Sequence, residues 1–158
     1  MTDLLQWLGQ TPPAAFLRSP GMAYPLVSAA HIAAIGLIIG AIGTLDARLL
    51  GAFSKRPVAE LGPPLARVAA IGVALAVLTG FLLFSVRPVA YAANDMLQLK
   101  LALIGLGVAN ALALRFTPWW RTALAGGAIH PVLRMQAAAS LLIWLAALLA
   151  GRWIGFTM

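Results

Sequence analysis

Four long apolar stretches, separated by short polar connections, dominate the pattern of hydrophobic and polar positions along this 158-residue chain. About 20 consecutive apolar residues in an α-helix cross a hydrocarbon core of about 30 Å. Each stretch reaches this length and consists mainly of Leu, Ala, Val and Ile. The pattern predicts an all-α polytopic membrane protein, a four-transmembrane-helix bundle in a single domain of residues 1–158, with helices at 22–45, 65–86, 96–116 and 133–156.

Helix-starting and helix-breaking residues mark the ends of these stretches. Residues 2–8 carry an initial Thr and an apolar face with Trp7, which is typical of a short interfacial helix; a frayed terminus is the alternative. Pro12-Pro13 and Ser19-Pro20-Gly21 then interrupt the chain, so Ala14–Arg18 is expected to form at most one further turn. The other prolines are expected in the connections between helices, where the missing backbone N–H removes no helical hydrogen bond. They are Pro57, Pro63, Pro64, Pro88, Pro118 and Pro131.

Composition and charge narrow the class of protein. With 62% hydrophobic and 9% charged residues, the chain cannot cover a water-facing surface, so its partner is the lipid bilayer. The 11 Lys and Arg residues are scattered near helix ends, which indicates topology signals and no nucleic acid. Seven of them fall on one side of the membrane and four on the other. This bias predicts both termini in the periplasm of a bacterium, with the chain in the inner membrane.

Small and weakly polar residues indicate how the helices pack. Gly36, Gly40 and Gly43 form a stripe that would let another backbone approach closely, within a compact bundle, a homo-oligomer or a larger membrane complex. On the fourth helix, small or weakly polar residues recur at helical spacing along one side, which is expected to face inward. They are Gln136, Ser140, Ala147 and Gly151. On a helical wheel, His31 points away from the glycine stripe.

Two residues within the spans are the main candidates for chemistry. His31 lies well inside the first span, where an ionisable group usually marks a ligand, a cofactor or a proton path. The alternative is a neutral imidazole bonded to a neighbouring helix. Lys100 lies about one turn inside the third span, in the same half of the membrane. It either contributes to the same site or extends its ammonium group to the lipid headgroups.

Further candidates follow from position. Asn110 lies at the edge of the Lys100 stripe, Arg152 is placed to hold acidic groups or lipid phosphates, and Trp144 is the one tryptophan deep in a span. The remaining tryptophans of the third and fourth spans are expected to be interfacial anchors: Trp119, Trp120 and Trp153. An ion pair or a turn cap is expected for Asp46 and Arg48, and no site role for His130. With no cysteine and two histidines, the chain lacks thiolate, zinc and hydrolase motifs.

Several short motifs resemble small bacterial four-helix membrane families. They are Tyr24-Pro25-Leu26 leading to His31, the Asp-x-Arg-Leu-Leu-Gly sequence from Asp46, Lys100 followed by Asn110-Ala111, and Trp144 with Gly151-Arg152-Trp153. The set resembles an uncharacterised family of this type. It is also distantly similar to the CopD-type copper-resistance membrane domain and to the HemJ-type protoporphyrinogen oxidases, which pair a first-helix His with a third-helix Lys.

The HemJ-type resemblance implies binding of one haem b. It makes His31 the axial ligand of the haem iron, the one candidate metal ligand, with Lys100 beside the porphyrin and a propionate. Residues 134–138 read Arg-Met-Gln-Ala-Ala where that family has an Asn-Glu-Pro element, which argues against protoporphyrinogen oxidation. Because low-spin b cytochromes use two His ligands, a haem here would be five-coordinate or take Lys100, a Met or an external ligand.

Three functions therefore stay open from the sequence. The first is a haem-b protein for electron transfer or haem handling, which would be a redox subunit. The second is a non-catalytic accessory or scaffold subunit of a larger membrane complex, motivated by the glycine stripe. The third is a small transporter or channel, for which one His and one Lys give few polar groups along a path.

Overall fold

The computed structural model describes residues 2–157, which form eight helices and no strand. Four are long and apolar enough to cross a membrane: α3 (Ala23–Leu50), α4 (Val58–Val86), α6 (Asp95–Phe116) and α8 (Pro131–Thr157). Four are short: α1 (Thr2–Gly9), α2 (Pro12–Arg18), α5 (Pro88–Ala92) and α7 (Pro118–Leu124). The predicted all-α fold with four spans and a short N-terminal helix is confirmed, and the chain is an integral membrane protein.

The long helices form two antiparallel pairs. α3 packs against α4 and α6 against α8, and α3 also contacts α8, which joins the pairs. Within residues 2–157, the backbones of α4 and α6 make no contact. The short helix α5 links their ends on the side of α1 and α2, here called the proximal side, and α7 contacts both on the opposite, distal side. α4 and α6 are thus connected through the short helices at their ends and not by close backbone packing along their lengths.

Two spans are longer than the sequence predicts. The first continues to Leu50 and ends at Gly51, whose φ of 118° is in the left-handed region that glycine adopts without strain. The second begins at Val58, so the expectation that Pro63 and Pro64 lie in a connection is wrong. These prolines leave the carbonyls of Ala59 and Glu60 without helical partners. Both residues are exposed at the distal helix end, where water can satisfy them.

The short helices also differ from expectation in part. The predicted helix over residues 2–8 is confirmed as α1. The single turn expected at Ala14–Arg18 is wrong, because α2 has seven residues and starts at Pro12. Pro12 and Pro13 occupy the first two helical positions. Backbone N–H groups at these positions have no hydrogen-bond acceptor within the helix, so their absence in proline breaks no helical bond. Pro88, Pro118 and Pro131 likewise begin α5, α7 and α8.

A buried apolar cluster holds the distal end together. It joins α3, α4, α6, α7 and α8 through Leu49, Val58, Leu114, Trp120, Ala123, Leu133 and Ala137. Trp120 is only 8% exposed, and a Cβ added at Gly62 on α4 would lie 3.0 Å from its ring. The assignment of Trp120 as an interfacial anchor is therefore wrong, since this indole packs α7 onto α4. Trp119 and Trp153 are exposed, as an anchor requires.

Glycines pack the helices closely, but not at the predicted stripe. A Cβ at Gly72 of α4 would lie 2.9 Å from Ile38 Cγ1 of α3, and a Cβ at Gly107 of α6 would lie 2.9 Å from the Trp144 indole of α8. In contrast, nothing in the described chain lies within 4 Å of a Cβ built at Gly36, Gly40 or Gly43. The stripe is not a helix–helix seam within this chain, and close packing depends on single glycines elsewhere.

Candidate functional site

His31 contacts α4 in the proximal half of the membrane. It follows Ala23, the first residue of α3, by eight positions, or about 12 Å along the helix axis. Its Nδ1 lies 2.9 Å from Thr79 Oγ1, and a Cβ added at Gly80 would lie 3.1 Å from its Cε1. The ring is partly exposed. The absence of a side chain at Gly80 thus allows the imidazole to lie against the α4 backbone.

The hydrogen bonds of the Thr79 hydroxyl favour one tautomer of His31. Thr79 Oγ1 lies 2.6 Å from the Leu75 carbonyl oxygen, so its single hydrogen is donated within α4. With this bond formed, Nδ1 of His31 acts as the donor in its contact with Thr79. The Ala76 carbonyl is a second acceptor on α4 beside the ring. In this neutral tautomer, Nε2 carries a lone pair, which is the arrangement of a histidine that ligates a metal through Nε2.

Lys100 occupies the same half of the membrane on α6. Its side chain is partly exposed and crosses α8 at Gly151, where an added Cβ would lie 3.2 Å from Nζ and 3.3 Å from Cε. It is within electrostatic range of His31. The one ion pair in residues 2–157 joins Arg56 and Glu60, so no carboxylate there neutralises the Lys100 ammonium. The structure therefore brings His31 and Lys100 into one region.

Asn110 and Trp144 lie apart from this pair, whereas Arg152 follows Gly151 in the same half of the bundle. Asn110 Nδ2 donates to the Gln136 carbonyl at 3.1 Å, at the α6–α8 seam towards the distal side. Trp144 is 6% exposed and packs on Gly107 in the same seam. Arg152 is exposed near the end of α8, with its guanidinium 4.8 Å from the Phe156 ring centre. The contacts of Asn110 and Trp144 are structural, and those of Arg152 are with its own helix.

A second polar group lies in the distal half, between α3 and α8. Asp46 is 4% exposed and faces Ser140, while its Oδ2 has no hydrogen-bond partner in the described chain. The Gln136 Oε1 and Trp144 Nε1 atoms are buried without partners as well. Asp46 does not pair with Arg48, whose Nε donates to the Arg56 carbonyl at 2.6 Å, so the ion pair considered for these two residues is absent. The inward orientation predicted for Ser140 and Ala147 is confirmed.

The donor chemistry at His31 is compatible with one haem iron. Nε2 of the imidazole is the free nitrogen, Thr79 orients the ring from the other side, and the uncompensated Lys100 ammonium suits a carboxylate such as a propionate. No group of three or more metal-ligating carboxylates and histidines occurs in the part of the chain that the structure describes.

Thr79 and Gly80, the residues of α4 that contact His31, could not be predicted from the sequence. Thr79 supplies a hydroxyl acceptor, and the adjacent Gly80 leaves space for the imidazole ring. The sequence does not show, however, that α4 is the helix that faces His31. The helical order α4, α3, α8, α6 becomes visible only in the packing. Comparisons with known proteins do not supply a guide either: no family model, no curated protein and no solved structure matches the chain.

Proposed function

We propose that this membrane protein binds one haem b in the proximal half of its bundle, for electron transfer or haem handling in the bacterial inner membrane. The observation that carries the proposal is the 2.9 Å contact of His31 Nδ1 with Thr79 Oγ1. A histidine at this depth in a span, with Nδ1 donating to Thr79 and a lone pair on Nε2, has the chemistry of an axial ligand.

Each residue of this chain has a distinct part in the proposal. His31 would ligate iron through Nε2, and Thr79 holds the ring by accepting from Nδ1. Gly80 leaves room for the imidazole against α4. Lys100 would bind a propionate. When bound, haem b supplies a one-electron redox centre, and a single protein ligand leaves the sixth position for a second group.

The proposal is tested by absorption spectroscopy of protein purified from haem-replete cells in mild detergent. We expect a Soret band that His31→Ala abolishes. Replacing Thr79 by Val keeps the side-chain shape but removes the acceptor, so haem affinity should fall about 10- to 100-fold. His130→Ala is the matched control, because it removes the other imidazole, which stacks on Trp119 on the distal side. This variant should keep the band.

Two results would contradict haem binding at His31. One is a purified, folded protein that has no Soret band and cannot be loaded with hemin. The other is a His31→Ala variant with the wild-type spectrum. The Thr79→Val variant separates ligand loss from misfolding, because its helix content should match the wild type while its haem affinity drops.

A second candidate function is supported by the exposed glycine stripe. Gly36 and Gly40 are exposed, and within the described chain no atom lies within 4 Å of a Cβ built at either or at Gly43. Small residues four apart on a lipid-facing helix allow another helix to approach closely. This surface suits an accessory subunit that packs α3 against a larger membrane complex.

The accessory function predicts a different pattern of variants. Gly40→Leu should remove partner proteins from affinity-purified material and leave the isolated chain folded, because its side chain enters open space. His31→Ala should keep the partners. Quantitative mass spectrometry of proteins that co-purify in mild detergent measures both effects. Unchanged partners in Gly40→Leu, or their loss in His31→Ala alone, would contradict this function.

A further inference from the structure

A cleft of about 370 Å³ lies on the proximal side, at the level where the spans leave the membrane. It is formed by α1, α2 and the junction of α4 with α5, and its apolar wall includes Leu5, Val86 and Val89. The cleft is shallow and open to its surroundings, so it suits part of a larger molecule better than a fully enclosed ligand. A Cβ added at Gly9 would lie 3.3 Å from the Pro88 ring, so α1 is packed firmly onto α5 beside the cleft.

The lining of the cleft is mostly apolar, and the polar residues that border it are cationic or carry amides. Arg18 and Arg87 both line it, together with the amides of Gln6 and Gln10, and no lining residue is acidic. Arg18 Nη1 donates to the Val86 carbonyl at 3.2 Å, which holds one guanidinium at the wall. Two arginines and two glutamines therefore border one mostly apolar cleft, and the Arg18 guanidinium is fixed at its wall.

Nothing in the described chain neutralises these two arginines. The proximal carboxylates, Asp3 and Asp95, form no ion pair with either of them. Arg87 is within electrostatic range of Tyr91, but burial raises the pKa of this phenol and the neighbouring Tyr24 raises it further, so Tyr91 is uncharged at neutral pH. Two positive charges without counter-charges favour an anionic ligand.

Exposed apolar residues beside the cleft suit a position among lipid headgroups. α1 exposes Leu4 and Trp7, and α2 exposes Phe16, each more than 60% exposed. Apolar side chains presented in this way by short helices at the ends of spans insert at the boundary of headgroups and acyl chains. A ligand in the cleft therefore has lipid on one side and water on the other.

We propose that this cleft binds the phosphate of an anionic phospholipid headgroup. Arg18 and Arg87 hold the phosphate oxygens through charge-assisted hydrogen bonds, and Gln6 and Gln10 donate to the remaining oxygens or to headgroup hydroxyls. The acyl chains follow the apolar wall at Leu5 and Val89 into the bilayer. A zwitterionic headgroup is disfavoured, because its cation would approach two uncompensated guanidinium groups.

The test measures lipid retention by the full chain, using native mass spectrometry of protein from nanodiscs that contain phosphatidylglycerol and phosphatidylcholine. We expect wild type to retain phosphatidylglycerol about tenfold more strongly than phosphatidylcholine. Arg18→Gln with Arg87→Gln should remove this preference. The matched control, Arg115→Gln with Arg121→Gln, removes the same charge from exposed distal positions and should keep it. Arg87→Gln alone, which breaks no described hydrogen bond, should weaken the preference with helix content unchanged.

Three outcomes would overturn the proposal. The first is an unchanged preference in the Arg18 and Arg87 variants, and the second is an equal loss in the distal control. The third comes from a competition arm with inorganic phosphate: if the free ion displaces phosphatidylglycerol from wild type at millimolar concentration, the cleft is a site for soluble anions. Because the readout is lipid retention, its result is independent of haem binding at His31.

Discussion

Gly72→Ala is expected to destabilise the protein by about 2 kcal/mol, because it forces apart the two helices that hold the candidate site. The added Cβ would lie 2.9 Å from Ile38 Cγ1 and 3.1 Å from both the Ala34 oxygen and the Ile38 nitrogen. Two of these atoms belong to the α3 backbone, which cannot rotate away as a side chain can. Equilibrium unfolding of purified protein in mixed micelles with increasing SDS measures the effect.

Gly36→Ala is the matched control for this variant. It places the same methyl group on α3 where no described atom lies within 4 Å, so stability should stay equal to wild type or rise slightly through helix propensity. Equal destabilisation by both variants would contradict the assignment of Gly72 to the α3–α4 seam. If haem is bound, Gly72→Ala should also weaken it, since His31 and Thr79 lie on the two displaced helices.

Gly107→Ala is expected to have the second large effect, of about 1 to 3 kcal/mol, at the seam between α6 and α8. Its Cβ would lie 2.9 Å from Trp144 Cε2, 3.0 Å from Cζ2 and 3.2 Å from Nε1. The indole is rigid and 6% exposed, so it has little space to move. The same SDS titration compares wild type with the variant.

A second substitution shows whether the indole is the cause. Trp144→Leu alone should destabilise the protein by leaving a cavity. The double variant with Gly107→Ala should lose less unfolding free energy than the sum of the two single variants, because the added methyl group then fills part of that cavity. Strict additivity of the two effects would show that Gly107 and Trp144 do not interact. Gly105→Ala, where an added Cβ meets open space, is the control within α6.

The sequence predicts the membrane architecture well, because a span is defined by the length and apolarity of a segment. The third and fourth spans agree within two residues, at Asp95–Phe116 and Pro131–Thr157. The predictions are wrong where one residue type occurs in two different structural contexts. Pro63 and Pro64 indicate a connection on average, yet they are tolerated in the early turns of α4. Asp46 and Arg48 indicate the end of a span, yet they are buried inside the last turns of α3.

The site could be predicted only in part. The depth of His31 and Lys100 follows from counting residues, and the structure places both in the proximal half. Their partners do not follow, because a helical wheel gives the direction of a side chain relative to its own helix and not which neighbour lies there. The pattern Gly36-x-x-x-Gly40 is regular and stands out in the sequence, whereas the isolated Gly72 and Gly107 that pack the helices do not.

Within residues 2–157, α4 and α6 do not pack closely along their lengths, which bears on how a hydrophobic solute would approach this side of the bundle. Since α5 and α7 link these two spans at their ends, a solute that approached between the spans would come sideways from the acyl chains. The concentration that such a solute presents to the protein is then set by its partitioning into the bilayer. A porphyrin dissolved in the membrane would arrive without first passing through water, and lipid composition would control the rate of loading.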